Sequence, residues 1–239
     1  MNNIIFTDTI NTPEKYKPKP ASESVPEWYK NLESYISGQK KPTGQGQTSA
    51  TIKRCMPVFD AITNGYILYT YSDVYVSQQA IPDENGKPTD QTYPWYEWPS
   101  SEIIQFHPIE QAPSHPQANG MSYPKWINPW SIRTPKGYSI LFTAPMHRDS
   151  VFTILDGVVD TDQYDAPVNF PFVLNDVKFE GLIPAGTPMA QIIPIKREDW
   201  EMKFGTKKDL DKQNLTTRLL RSSFFDSYKN KFRQPKVYK

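Results

Sequence analysis

The residues best suited to chemistry in this chain lie in one short acidic segment, where Asp160, Asp162 and Asp165 surround Tyr164. A carboxylate can accept a proton from an attacking water, and a neighbouring aromatic ring can stack on a sugar or a base. The segment is therefore the strongest candidate for an active site. The alternative interpretation is that the acids form a solvated turn that binds nothing.

A second candidate is a metal site made from the three histidines, His107, His115 and His147. Imidazole nitrogens, alone or with the nearby Glu110, are suitable ligands for zinc or iron. The first two histidines are separated by prolines and match no common ligand spacing, so ordinary hydrogen-bonded loop histidines are the simpler interpretation. The sequence does not identify a cofactor, and Mg²⁺ or a transition metal is expected only if the chain is an enzyme.

The surroundings of the acidic segment resemble a known superfamily. Two apolar stretches flank the acids, and a Pro-Ala-Gly corner leads into a strand in which Gln191 lies among isoleucines. Over residues 157–195 this order resembles the third and fourth motifs of the dUTPase and dCTP-deaminase superfamily, with Gln163 as one extra residue. The positions that match the motifs are Gly157, Asp160, Tyr164, Gly186, Ala190 and Gln191.

This resemblance implies a β-clip fold and a set of site residues. The roles it implies are Asp160 or Asp162 as general base, Tyr164 as a stacking platform, and Gln191 and Arg148 as further ligand contacts.

Two parts of the superfamily's phosphate site have no good counterpart in this chain. The Arg-Ser-Gly motif corresponds at best to residues 144–150, in a disturbed order. The superfamily also has a glycine-rich carboxy-terminal arm, whereas Gly205 is the only glycine that follows Gly186 in this sequence. Hydrolysis of a triphosphate needs donors that stabilise the developing charge. We therefore expect the scaffold without the hydrolytic activity.

Over its whole length the chain also resembles an uncharacterised family encoded by marine tailed phages and some bacteria. The segments that carry this resemblance are residues 25–30, 53–57 and 130–138. It implies no established activity. It implies a protein of the host cytoplasm, with incorporation in a virion as a further expectation.

Composition limits the class of protein. Hydrophobic residues make up 37% of the chain, which is enough for a core, and no apolar run approaches the roughly 18 residues of a spanning helix. The 23 prolines are roughly twice the usual frequency and favour short strands and sheet edges over long helices. Cys55 is the only cysteine; it excludes an internal disulfide and is expected to be buried. We expect a soluble protein without a membrane partner.

The amino-terminal part is expected to be extended and polar. Residues 1–22 predict an arm, and Ser24 with Glu27 forms a capping box for a short helix that ends near Gly38. A flexible linker should follow. The expected parts of the chain are an arm, helix and linker over 1–49, a β domain over 50–200, and a basic helix and tail over 201–239.

The β domain is expected to be a β-clip or dUTPase-like sheet or barrel. Aromatic residues interrupted by prolines predict a loop layer over 93–130. After residue 200, Leu215 and Leu219 begin an apolar stripe among 11 Lys or Arg and 4 Asp or Glu, which predicts an amphipathic carboxy-terminal helix. The strongest strand patterns cover 66–71, 74–76, 138–143 and 151–155.

These observations favour a non-enzymatic phage-type structural or binding protein that uses a dUTPase-like scaffold for assembly. The expected partners are further copies of the chain or other virion proteins. An enzyme that acts on a nucleotide or small ligand at the 160–164 turn, with or without a metal, is the first alternative. A factor that sequesters a nucleotide or a host protein is the second, and nucleic-acid binding is disfavoured because the basic tail has no phosphate cradle.

Overall fold

The computed structural model describes residues 2–42, 48–99, 102–111, 123–222 and 226–239. Strands hold 35% of the chain and helices 21%, which confirms the mainly β fold. Contacts divide the chain into two compact units, and each unit is made of separated stretches. The first contains residues 1–19 and 65–197, and the second contains residues 20–64 and 198–239. The division into consecutive segments at residues 49 and 200 stays a prediction.

The first unit consists of short strands. They are β1 (Ile5–Asp8), β2 (Lys19–Pro20, at the sequence boundary between the units), β3 (Tyr66–Tyr69), β4 (Val74–Pro82), β5 (Pro88–Glu97), β6 (Ile104–His107), β7 (Tyr123–Trp126), β8 (Trp130–Arg133), β9 (Tyr138–Thr143), β10 (Phe152–Ile154), β11 (Gly157–Val159), β12 (Phe170–Leu174), β13 (Gly181–Ile183) and β14 (Pro188–Lys196).

Antiparallel pairing joins these strands into several sheets. β1 pairs with β8, and the other spatial orders within the unit are β10-β12-β7-β6, β11-β9-β14-β3 and β13-β4-β5. Among the described residues the sheets do not close into a barrel, and the β-clip and dUTPase-like details of the predicted fold are not confirmed.

Strand β14 lies at the centre of the sheet that carries the candidate site. Its residues from Met189 to Ile193 are all buried, as expected of a short continuous apolar run. Gln191 lies opposite Ile67 of β3 on one side and opposite Thr143 of β9 on the other. The strand therefore fixes the register of both of its neighbours.

Aromatic rings fill the core beside the sheet with the strand order β10-β12-β7-β6. Trp126 of β7 stacks on Phe172 of β12 with ring centroids 4.9 Å apart, and Phe152 of β10 lies 5.1 Å from Trp126. All three side chains are buried. Burial of large aromatic surfaces is the main source of stability in such a core.

Within its described residues, the second unit contains four α-helices, three short 3-10 helices and the carboxy-terminal residues. The α-helices are α1 (Glu27–Asn31), α2 (Met56–Thr63), α3 (Lys207–Ser222) and α4 (Ser227–Lys231). Within the described part of the chain, no helix is long and apolar enough to cross a membrane.

A buried acid of α2 holds the carboxy-terminal residues of this unit. Asp60 accepts hydrogen bonds from Arg233 Nη2 at 2.7 Å and from Lys236 Nζ at 3.0 Å. The hydrogen bond from Arg233, followed by that from Lys236, lowers the pKa of the Asp60 carboxyl. Arg54 also pairs with Asp226, which precedes α4. The two stretches of the unit are thus joined by ion pairs.

Several expectations for the amino-terminal part are corrected. The extended arm is not confirmed, because β1 pairs with β8 of its own unit. The short helix exists, but Pro26 precedes it without a side-chain cap, so the capping box is wrong, and the helix ends at Asn31. In the described ends of the predicted linker, Ser49 is buried, and its hydroxyl bonds to the backbone of Lys41 and Gln39, so this end of the linker is held in place.

Three further expectations differ from the structure. The carboxy-terminal helix is two helices, α3 and α4. Cys55 is exposed. The loop layer predicted over 93–130 contains β6, β7 and part of β5. Strand β5 lies at a sheet edge, where a proline such as Pro94 is tolerated without its N–H.

Candidate functional site

The acidic segment lies where three strands of one sheet meet. Strand β11 pairs with β9, so that Val159 lies opposite Ile140, and the chain leaves β11 at Asp160 beside Ser139. The amide of Tyr164 donates to the carbonyl oxygen of Asp160 at 2.9 Å and closes the turn. Arg197 follows β14 directly, and its amide donates to the carbonyl of Gly137 at 2.8 Å. The sheet register therefore brings Arg197 to the acids.

Arg197 binds both candidate catalytic acids, and we call these three residues the Arg197 clamp. Its Nη1 donates to Asp162 Oδ1 at 2.9 Å and to Asp160 Oδ1 at 3.2 Å, and its Nη2 donates to the other oxygen of Asp162. Two parallel bonds from a guanidinium to one carboxylate are the strongest common form of ion pair. The clamp closes the acidic turn onto the end of β14.

Asp162 is fully engaged within this clamp. Its side chain is 1% exposed, and the amide of Gly137 donates to its Oδ2 at 2.8 Å. The hydrogen bonds from Arg197, and then from Gly137, lower the pKa of Asp162 to about 2. A carboxylate with so low a pKa and with both oxygens occupied is a weak proton acceptor. Its geometry favours a role in holding the turn.

Asp160, Tyr164 and Asp165 are the accessible members of the segment. The Asp160 side chain is 64% exposed, and it accepts a hydrogen bond from Ser139 Oγ at 2.6 Å. The Tyr164 ring is also exposed. A ligand at this turn would meet these two side chains and that of Asp165.

The two other ligand contacts implied by the resemblance lie elsewhere on the sheet. Gln191 is fully buried, and its Oε1 accepts a hydrogen bond from the amide of Met146 at 2.9 Å. This bond fixes the turn that follows β9 and carries His147 and Arg148. Burial lowers the pKa of the Arg148 guanidinium.

Strand β9 separates these two groups of residues. Asp160 lies beside Ser139 at the start of the strand, and Gln191 lies opposite Thr143 at its end. Four residues of a strand span about 13 Å. The structure thus brings Asp160 and Asp162 together but places Gln191 and Arg148 at the other end of the strand. The catalytic and ligand-binding assignments stay predictions.

The described histidines also lie on different sheets. His107 ends β6 and its Nδ1 contacts Gln111 Oε1, whereas His147 is exposed in the turn after β9. His115 lies outside the described residues. Across the described ranges, no three His, Cys, Asp or Glu side chains come together as a group that could hold a metal ion. The histidine metal site stays a prediction.

Sequence reasoning missed one feature of the second unit, which begins three residues after Arg197 in the sequence. Trp200, Met202 and Phe204 alternate with Glu201 and Lys203 in a stretch without helix or strand. The three apolar side chains are 86%, 82% and 90% exposed. Alternation of apolar and charged residues is the pattern of a half-buried strand, and this signal was present in the sequence. We call residues 200–204 the apolar segment.

Comparison of the chain with protein-family models and with curated proteins finds no match.

Proposed function

We propose that this chain is a non-enzymatic structural or binding protein of the phage type, which acts by binding another polypeptide through the apolar segment. The observation that carries the proposal is the exposure of Trp200, Met202 and Phe204. Soluble proteins expose scattered apolar side chains, but a contiguous group of large ones marks an interaction site. Trp200, Met202 and Phe204 are three such side chains within five residues of sequence.

The Arg197 clamp supports the non-enzymatic part of the proposal. Its guanidinium occupies the carboxylate that the dUTPase resemblance makes a candidate base, and Asp162 is almost completely buried. Gln191 is fully buried and lies about 13 Å along the strand from the acids, and Arg148 follows the far end of that strand. A ligand at the acidic turn would therefore lack those two contacts.

A crosslinking experiment tests the binding role. A photoreactive amino acid replaces Met202 in the full chain, and the cells that make the protein are irradiated. The expected product is a discrete covalent adduct with a polypeptide, which mass spectrometry identifies. Val158, which is 60% exposed on β11, is the matched control position. A result with no adduct at Met202, or with the same adducts at both positions, overturns the proposal.

The exposed pair Asp160 and Tyr164 favours one alternative, an enzyme acting on a nucleotide or another small ligand at this turn. Purified protein with deoxynucleoside triphosphates and Mg²⁺ tests it. We expect no turnover above the rate without protein. Turnover that is lost in Asp160→Asn would establish the enzyme and overturn the non-enzymatic proposal.

A further inference from the structure

The residue order of the apolar segment is complementary to itself. When two such segments run antiparallel with Met202 opposite Met202, Glu201 of one lies opposite Lys203 of the other, and Trp200 lies opposite Phe204. Each pair except the central one occurs twice, as a two-fold axis requires. Aromatic pairs and opposite charges are the cross-strand pairs that stabilise antiparallel strands.

One contact within the segment joins side chains that are two residues apart. Glu201 and Lys203 form an ion pair of 2.7 Å with both side chains largely exposed. In an extended chain, residues two apart point to the same side. In an extended segment, Glu201 and Lys203 therefore share one side, and the three apolar residues share the other.

We propose that the apolar segment pairs with the same segment of a second copy of this chain, as a two-stranded antiparallel ladder with its two-fold axis at Met202. The inference deepens the proposed function and rests on it, since it names the partner of the segment. Three large side chains exposed by more than four fifths offer roughly 500 Å² per copy. Pairing of two strands side by side covers only part of this surface, because the face of a two-stranded ladder stays open, so two copies bury less than the roughly 1,000 Å² of a specific interface. The dimer is accordingly weak and reversible.

Charge exchange within the full chain tests the register. Sedimentation velocity between about 1 and 100 µM, a range suited to a weak interface, should show a concentration-dependent dimer. Glu201→Lys places Lys opposite Lys at two positions, and Lys203→Glu places Glu opposite Glu. Each single variant should weaken the dimer by roughly tenfold. The double variant restores both opposite-charge pairs, and its dissociation constant should return to within about threefold of the original.

Two further variants locate the contact. Met202→Asp places two carboxylates at the axis and should abolish the dimer, whereas Val237→Asp changes a residue that is 69% exposed elsewhere in the unit and should leave it intact. In a Cys55→Ser background, Met202→Cys should form an intermolecular disulfide on mild oxidation, because facing Cα atoms of an antiparallel ladder lie within about 5.5 Å.

Each outcome decides one part of the inference. A wild-type chain that stays monomeric overturns self-pairing, while a crosslink from Met202 to a different polypeptide would still support the proposed function. A dimer that survives Met202→Asp shows that the interface lies elsewhere. A dimer that is weakened by both single variants and equally by the double variant overturns the antiparallel register.

Discussion

Among the described glycines, Gly65 is the one at which an added methyl group meets the closest backbone atoms. It precedes β3 with a φ of +72°, and an added Cβ would overlap the carbonyl oxygen of Ile192 and lie 2.9 Å from its carbonyl carbon. Ile192 lies opposite Tyr66 on β3 and opposite Phe142 on β9. Gly65→Ala must therefore push β3 away from the central strand.

The expected cost has two parts. A residue other than glycine loses about 1–2 kcal/mol in the left-handed region. Carbon and oxygen need about 3.3 Å of separation, so the strand must shift by more than about 1 Å and weaken about two ladder hydrogen bonds, each worth about 1 kcal/mol. The total is about 3–4 kcal/mol, which for a protein of this size lowers the melting temperature by about 10 °C.

Gly86 gives the matched control. It has a φ of +77° in the turn between β4 and β5, and nothing lies within 4 Å of an added Cβ. Gly86→Ala should therefore show only the conformational cost, about 1–2 kcal/mol. Both variants are compared with wild type by urea unfolding and by calorimetry. If Gly65→Ala costs no more than Gly86→Ala, the close approach of Gly65 to Ile192 is refuted.

Three other predictions concern the ion pairs and the core. The pKa of Asp162 is about 2, which is below the unfolded value of about 3.9. The contribution of Asp162 to stability is therefore present above about pH 4 and is lost as the pH falls to 2. The melting temperatures of wild type and Asp162→Asn should differ at pH 7 and converge at pH 2. Asp60→Asn should cost about 2 kcal/mol, because it leaves the partly buried Arg233 without its charge partner, and limited proteolysis should then release the carboxy-terminal residues faster. Phe172→Ala removes a fully buried ring and should cost about 3–5 kcal/mol in urea unfolding.

Local patterns were enough to find several strands. The β-branched and aromatic residues over 138–143 predict the bounds of β9. At β5 and β7, the prolines led to the wrong prediction of a loop. A proline removes one hydrogen-bond donor but does not prevent a strand from pairing through its other groups, and only the pairing shows which side of the strand is free.

The candidate site was predictable only in part. The acids and Tyr164 are neighbours in sequence, so their proximity follows from the chain itself. Arg197 is 35 residues from Asp162, and it reaches the acids because β9 pairs with both β11 and β14. The same pairing separates Gln191 from Asp160. A motif of neighbouring residues contains neither piece of information, since both depend on sheet register.

The ion pair between Asp60 and Arg233 constrains the order of events during synthesis. The two residues are separated by 173 positions, and at about 5–20 residues per second a ribosome needs roughly ten to thirty seconds to travel between them. Helix α2 therefore leaves the ribosome long before its acid can be neutralised, while every strand of the first unit is complete once Arg197 has emerged. The nascent chain should acquire its β core first, and the second unit should mature only after release.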